Sequence, residues 1–226
     1  MLSLGKERVL IIAPHADDEV LGCAGLIEKA SRLGNSVKVV VGAVGNTYMY
    51  HAGQTISADT RKKELVKAVK YLGCNDVQVL YDDKESWLDT VPKREIISKI
   101  DGIIRTFHPT MVFIPLPGFH QDHQQLYEAC MAAMRPKPGL ELKLIAMFEY
   151  PLIVWKHPRF ISIGELYLDI SDSIDKKIEA LRKHASQLRE SRDLISEQNV
   201  KLLAQFRGME AGVPFAEKFY IIRSMI

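Results

Sequence analysis

Short continuous apolar runs alternate along the chain with longer segments in which apolar residues recur every three to four positions. The runs at 9–13, 37–41, 77–80 and 111–115 have the length of strands that are buried on both faces. The segments between them have the spacing of amphipathic helices. Regular alternation of strand and helix is typical of a doubly wound parallel sheet. We therefore predict an α/β fold, a Rossmann-like three-layer sandwich with a mostly parallel sheet, forming a single domain over residues 1–226.

Glycine and proline residues mark the predicted boundaries of these elements. Gly34 is expected to end the first helix as a left-handed cap. Pro92 lies in the first turn of a later helix, and His108-Pro109 should end it. Each stop leads directly into an apolar run, as the alternating pattern requires.

The second half of the chain continues with more widely spaced elements. Ser171 or Asp172 can cap a long helix whose apolar stripe extends to Leu188. This stripe indicates either core packing or a contact between copies of the chain, so a homo-oligomer is compatible with the sequence. The other predicted elements are strands at 142–150, 167–170 and 219–222, a helix at 196–206, and turns at Gly208 and Gly212.

A histidine and three successive carboxylates follow the first strand, where Pro14 ends it. His15 and Asp18 are three residues apart, a spacing that places two side chains on one face of a tight turn, where both can bind a metal ion. Acidic residues in the first helical turn are also favoured by the helix dipole alone. That explanation accounts for one carboxylate better than for Asp17, Asp18 and Glu19 together, because adjacent like charges repel unless a cation relieves them.

A second polar cluster contains His120, Asp122 and His123, and it follows the strand at 111–115 and opens a helix. Alone, it could be a surface turn capped by Asp122. The carboxyl ends of parallel strands share one edge of the sheet, however, and open α/β sheets bind their ligands there. His15, Asp18 and His123 would then supply two imidazoles and one carboxylate and leave a coordination position open, as in hydrolytic Zn²⁺ sites. The same set also suits Fe²⁺.

Two long connections are candidate substrate-binding loops. The polar stretch 42–56 carries Tyr48 and Tyr50, and loops of this length inside a compact domain usually have a function. The second is 151–160, with Trp155, His157 and Pro158. Loop sequences do not identify the ligand that they bind.

Arg61 falls on the inward stripe of the helix predicted at 59–72, four residues before Leu65. Its position has two interpretations of equal weight. It forms a local ion pair with Glu64, or it binds a hydroxyl or carboxylate of a substrate at the rim of the sheet.

Composition and charge exclude several classes of protein. With 30 basic and 28 acidic residues the formal charge is +2, so neither a nucleic acid nor a membrane surface is an expected partner. The longest apolar runs are too short for a membrane span. Polar residues at 5–8 argue against a signal peptide. Cys23, Cys74 and Cys130 are odd in number and far apart, as expected for core residues of a cytoplasmic protein.

Taken together, these motifs resemble those of the PIG-L/LmbE-like deacetylases. That family begins with a strand and Ala-His-Pro-Asp-Asp-Glu, and residues 14–19 here read Pro-His-Ala-Asp-Asp-Glu. Its His-x-Asp-His is matched by residues 120–123. Less specific similarities are the arginine segment at 61–64, His-Ala-Ser-Gln at 184–187 and Ala-Glu-Lys-Phe at 216–219.

The resemblance implies a Zn²⁺-dependent enzyme that removes acetyl groups from N-acetylglucosamine-type conjugates. It implies metal binding by His15, Asp18 and His123, and a general base at Asp17. His120, oriented by Asp122, would steady the oxyanion or protonate the leaving amine.

Two positions depart from the family pattern. Ala16 replaces the usual proline, which should loosen the turn without removing a ligand. Gly118 stands two residues before His120, where some family members carry a tyrosine. The general acid is then either His120 or a tyrosine of the long loop, Tyr48 or Tyr50.

Two other functions remain open from the sequence. An acidic pair after the first strand of a doubly wound domain also suits Mg²⁺ in a phosphate-binding or signalling module without amide hydrolysis. The two histidines argue against it, because imidazole favours zinc or iron. The second is a binding protein that keeps the fold but not the catalysis.

Overall fold

A seven-stranded sheet forms the centre of the molecule in the computed structural model, which describes residues 2, 4–137, 139–154 and 164–225. The strands are β1 (Arg8–Ala13), β2 (Ser36–Ala43), β3 (Thr47–Met49), β4 (Gln54–Ile56), β5 (Asp76–Tyr81), β6 (Met111–Pro115), β7 (Leu144–Phe148), β8 (Gly164–Asp169) and β9 (Ala216–Ser224). The α-helices are α1 (Asp18–Arg32), α2 (Ala58–Tyr71), α3 (Lys93–Phe107), α4 (Gln121–Ala133), α5 (Ile174–Lys183) and α6 (Glu197–Ala211).

The strand order is β5-β2-β1-β6-β7-β9-β8. The first five strands in this order are parallel, and β9 pairs antiparallel with both β7 and β8. The innermost strands are continuous apolar runs because helices cover both of their faces. β1 lies between β2 and β6, so the segment that follows β1 emerges at the centre of the sheet edge.

Alternate residues of β1 enter two cores on opposite faces of the sheet. Val9 and Ile11 pack in one core with residues of α1, α2 and α5, whereas Leu10 and Ile12 pack in the other with α3 and α4. The predicted α/β fold with a mostly parallel sheet and helices on both faces is confirmed.

Several predicted boundaries are found in the structure. The helix α1 is followed by Gly34 with φ of 74°, and His108, in the left-handed region, ends α3 before Pro109. In the connection 42–56, prediction and structure differ. Part of it forms the antiparallel hairpin β3–β4, which is separate from the main sheet.

The late helices also differ from the prediction. The helix α5 follows Ser173, not Ser171 or Asp172, and it ends at Lys183 instead of continuing to Leu188. Directly after the helix, the side chain of His184 is hydrogen-bonded to Glu19 of α1, and the N–H of Ser186 donates to Glu64 of α2. The helix α6 is longer than predicted and includes Gly208, and Gly212 caps it with φ of 74°.

The second candidate loop is described only in part. Pro151–Val154 form a 3-10 turn, and the predicted binding positions Trp155, His157 and Pro158 lie outside the described residues. Within the described ranges, no helix combines the length and apolar content that crossing a membrane requires.

Candidate metal centre

The turn between β1 and α1 holds Asp17 in an unusual backbone conformation. Its φ of 142° is in a region that L-residues rarely adopt, which costs about 1–3 kcal/mol and recurs at functional sites. The Asp17 N–H donates to Oε2 of Glu19 at 2.9 Å. Its carbonyl accepts the N–H groups of Val20 and Leu21, which begin α1. The turn is therefore held by both its backbone and the side chain of Glu19.

The second polar cluster lies beside the first because β6 pairs in parallel with β1. His120 precedes α4, and its Nδ1 accepts the N–H of Asp122 at 3.2 Å. The ring centroid of His15 is 4.8 Å from that of His120 and 5.4 Å from that of His123. The two motifs that the sequence predicts to meet at the sheet edge do meet there.

His15, Asp18 and His123 form a cluster with the donor chemistry of a metal site. Oδ2 of Asp18 lies 3.4 Å from Nδ1 of His15 and 3.3 Å from Nε2 of His123. The three candidate ligand atoms lie within 4.8 Å of one another, and the side chains are nearly buried. Two imidazoles and one carboxylate that converge in this way fit a mononuclear Zn²⁺ or Fe²⁺ site.

The carboxylate of Asp122 contacts His15, whereas the ring of His120 is contacted by the backbone N–H of Asp122. Its Oδ2 lies 2.8 Å from Nε2 of His15 and accepts the N–H of Ser86 at 2.6 Å, and its Oδ1 accepts the N–H of Leu88 at 3.0 Å. The first turn of α4 aims this buried side chain at β1 and at residues 86–88. The other nitrogen of His15 thus faces Asp18, as in the carboxylate–histidine–metal arrangement.

A second group, His15, His120 and Asp122, also has metal-ligating atoms close together. It suits an ion less well, because the Asp122 carboxylate already accepts two backbone N–H groups and pairs with His15. We therefore assign the candidate centre to the first group.

Burial and nearby charges shift the pKa values of the two adjacent aspartates, Asp17 and Asp18, in opposite directions. Burial, reinforced by the charge of Asp18, raises the pKa of Asp17 to about 7. Burial also opposes ionisation of Asp18, but His123 and His15 outweigh it and hold the pKa of Asp18 well below its usual range. Asp18 is thus a permanent anion, whereas Asp17 can exchange a proton near neutral pH.

The pKa values of His15 and His120 are also shifted in opposite directions. Burial alone would lower the pKa of His15, but its hydrogen bonds with Asp122 and Asp18 raise it to about 9. Burial and the nearby charge of His15 lower the pKa of His120 to about 4. Because Nδ1 of neutral His120 accepts a backbone N–H, its proton is on Nε2. His120 is therefore a neutral hydrogen-bond donor.

Arg61 lies beneath the turn of Asp17 and is only 1 % exposed. Its Nη2 donates to the carbonyl of Ala16 at 2.9 Å, and its Nη1 pairs with Glu85. The local pair with Glu64 is not the observed contact, since the Glu64 carboxylate accepts the N–H and hydroxyl of Ser186. Arg61 is placed to support the turn from below.

Tyr48 and Tyr50 lie on the β3–β4 hairpin and are 51 % and 91 % exposed. Their rings form a T-shaped pair with centroids 5.1 Å apart. Nε2 of His51 lies 3.0 Å from the carbonyl of Ser186, which links the hairpin to the segment after α5. Both tyrosines therefore present their rings to solvent.

Three residues that contribute to the site, Glu19, Tyr150 and His184, were not identified as functional residues from the sequence. His184 and Glu19 are both fully buried, with Nε2 and Oε1 2.7 Å apart. The similarity at 184–187 pointed to this segment without indicating its contact. Tyr150 is 4 % exposed, and its ring centroid lies 4.4 Å from that of His123. No sequence signal distinguished it from the end of an apolar strand.

The fold and this cluster define the class of protein: a doubly wound α/β protein with a candidate mononuclear metal centre at the carboxyl edge of its sheet. The chain belongs to the PIG-L family, since the family model described as GlcNAc-PI de-N-acetylase matches residues 10–134. The matched region runs from β1 to the end of α4 and so contains both polar clusters. The resemblance to the PIG-L/LmbE-like deacetylases is thereby confirmed.

Known proteins similar to this chain support that placement. A probable N-acetyl-alpha-D-glucosaminyl L-malate deacetylase 2 of Bacillus subtilis is 29% identical over 190 residues, covering 80% of this chain and 84% of the relative. The structure of N,N'-diacetylchitobiose deacetylase from Pyrococcus horikoshii, with its inhibitor, has a TM-score of 0.75 and 27% identity, covering 96% and 84% of the two chains. The conserved protein TT1542 of Thermus thermophilus has a TM-score of 0.75 and 25% identity, covering 97% and 96%.

Proposed function

We propose that the protein is a metal-dependent hydrolase that removes the acetyl group from an N-acetylated amino-sugar conjugate of the N-acetylglucosamine type. The observation that carries this proposal is the convergence of His15, Asp18 and His123 beside a carboxylate, Asp17, whose pKa is raised to about 7. Two of the similar proteins are named as deacetylases of acetylated glucosamine compounds, which supports the substrate class.

For the metal we propose Zn²⁺ bound by His15, Asp18 and His123, with Fe²⁺ as the alternative. When bound, such an ion lowers the pKa of a water molecule and polarises a carbonyl group. The two imidazoles disfavour Mg²⁺, so we do not propose the phosphate-binding or signalling alternative.

Asp17 is the proposed general base. A base is most effective when its pKa is near the working pH, and burial raises the pKa of Asp17 to about 7. The turn fixes its backbone, and its buried carboxylate interacts electrostatically with Asp18 without being one of the three candidate ligands. Asp17 would accept the proton of the attacking water and then pass it to the nitrogen of the former amide, because the amine leaves readily only when this nitrogen is protonated.

His120 and Asp122 have different proposed roles. Neutral His120 has its proton on Nε2 and would donate a hydrogen bond to the substrate oxygen on which negative charge develops. Asp122 is a positioning residue, because its carboxylate fixes the ring of His15.

The substrate is proposed to bind above this edge of the sheet. The exposed rings of Tyr48 and Tyr50 offer apolar faces to a sugar, so substrate contact is proposed for both. Arg61 is buried under the turn, so we propose that it acts on the substrate through the position of Asp17.

The test is release of free amine from a panel of N-acetylglucosamine conjugates by wild type and Asp17→Asn, both loaded with Zn²⁺. Asparagine keeps the shape of the side chain but cannot accept the proton. We expect wild type to release amine, and the variant to bind the metal but to be slower by about 100-fold or more. Undiminished activity of Asp17→Asn would refute its role, and no release from any conjugate by wild type would refute the proposed function.

A further inference from the structure

Tyr150 enters the candidate site from a third strand. It follows β7 by two residues, and β7 pairs in parallel with β6, whose end leads to His120 and His123. The Tyr150 ring is buried and packs against His123, with centroids 4.4 Å apart and the planes tilted by 45°. The packing places this tyrosine next to a candidate metal ligand.

The hydroxyl of Tyr150 occupies the space that a side chain at position 118 would need. A Cβ atom added to Gly118 would lie 2.2 Å from the Tyr150 oxygen but 3.4 Å from Cζ. Gly118 is not in the left-handed region, so its backbone does not require glycine. The absence of a side chain at Gly118 therefore makes room for one atom, the hydroxyl oxygen.

This hydroxyl differs from that of the other buried tyrosine at this end of the sheet. The Tyr220 hydroxyl donates to Oε1 of Glu149 at 2.7 Å. Among the residues that the structure describes, the Tyr150 hydroxyl has no hydrogen-bond partner. A tyrosine hydroxyl whose ring is buried usually has a partner. The Tyr150 hydroxyl thus lies in the space left open beside Gly118 and is available as a donor to a bound molecule.

We propose that Tyr150 is a catalytic residue whose hydroxyl donates a hydrogen bond to the acyl oxygen as the amide carbon becomes tetrahedral, and that Gly118 is required to admit this hydroxyl. The assignment rests on the proposed deacetylase function. It adds a second donor to that of His120 and comes from a part of the chain outside the match to the family model.

Tyr150 is not chemically altered in the proposed step. The water oxygen bonds to the acyl carbon, the carbonyl electron pair moves to the acyl oxygen, and Asp17 takes the water proton. Tyr150 keeps its proton and only hydrogen-bonds to the charged oxygen. The nitrogen then receives the proton from Asp17, the electron pair on the charged oxygen re-forms the carbonyl and the C–N bond breaks, which gives acetic acid, ionised to acetate in water, and a free amine.

Tyr150→Phe tests the donor because it removes the hydroxyl and keeps the ring against His123. Loss of one preorganised donor typically lowers kcat by about 100-fold or more. We expect that loss with KM little changed and with the metal content and melting temperature of wild type. Tyr167→Phe is the matched control, because Tyr167 lies on the edge strand β8. It should keep full activity.

Gly118→Ala provides an independent test of the shared space. In the wild-type background the new Cβ must displace the Tyr150 hydroxyl, so kcat should fall as in Tyr150→Phe. In the Tyr150→Phe background the nearest ring atom is at 3.4 Å, and the second substitution should cost little more. The two losses should therefore be strongly non-additive.

The outcomes separate this assignment from the proposed function. An active wild type with undiminished kcat in Tyr150→Phe overturns the assignment alone. Losses that add, or loss of metal in step with kcat, would show a packing role and also overturn it. A wild type that releases no amine overturns the proposed function and this inference with it.

Discussion

At the scale of single residues, the convergence of the three candidate ligands could be predicted, but the contacts around them could not. His15, Asp18 and His123 were predictable because each follows a buried strand and the carboxyl ends of parallel strands share an edge. The contacts of Asp122 and Tyr150 were not, since they depend on the direction of α4 and on the packing of β7 beside β6.

Asp122→Asn tests the positioning role of Asp122. An amide at this position can still hydrogen-bond to Nε2 of His15, but it removes the negative charge that makes the imidazole a better ligand. Loss of such an outer contact typically lowers metal affinity about 10- to 100-fold. Competition with a fluorescent chelator measures the affinity, and Asp17→Asn should serve as the control that keeps it. Equal affinities of wild type and Asp122→Asn would contradict the role.

The protonation of His15 predicts a pH dependence of metal uptake. Because carboxylates raise the pKa of His15 to about 9, the metal-free protein carries this proton at neutral pH. The metal binds only the neutral ring, so uptake releases a proton and the apparent affinity rises as the pH approaches 9. Calorimetry in buffers of different ionisation enthalpy measures the released proton. An affinity independent of pH between 6 and about 9 would contradict this linkage.

At the scale of elements, the sequence predicted the alternating half of the fold better than the later half. From β1 to α4, apolar runs and the stops at Gly34 and His108 act locally, so the boundaries could be predicted within a few residues. The segment that follows α5 is tied to α1 by a contact between His184 and Glu19, which are 165 positions apart in the chain. No local pattern contains that information.

The contact between His184 and Glu19 predicts that replacing His184 lowers both the stability and the activity of the protein. Glu19 holds the Asp17 N–H, so the segment after α5 supports the strained turn through two hydrogen bonds. In His184→Ala the buried Glu19 loses its partner, which should lower the free energy of unfolding by roughly 3–5 kcal/mol. Urea denaturation measures this loss.

The matched control is His51→Ala, which removes an exposed histidine that contacts the same segment at Ser186. It should leave the free energy of unfolding nearly unchanged. If both variants unfold alike, or if His184→Ala keeps wild-type stability and kcat, the buried pair does not support the turn.

At the scale of the whole molecule, the candidate site draws on the chain from β1 to α5. The family match ends at residue 134, yet Tyr150 and His184 lie beyond it and contact the centre or its turn. Association of copies stays a prediction. Within the described part of the chain, we expect copies to associate through the exposed apolar residues of α6 at positions 202, 206 and 209.

The most direct test of the central claim is amine release from an N-acetylglucosamine conjugate before and after removal of the metal. We predict that chelation abolishes release by wild type, and that Zn²⁺ restores it once about one ion per chain is bound. His123→Ala should neither bind the ion tightly nor recover activity. Full activity of metal-free wild type, or of His123→Ala without bound metal, would contradict the account.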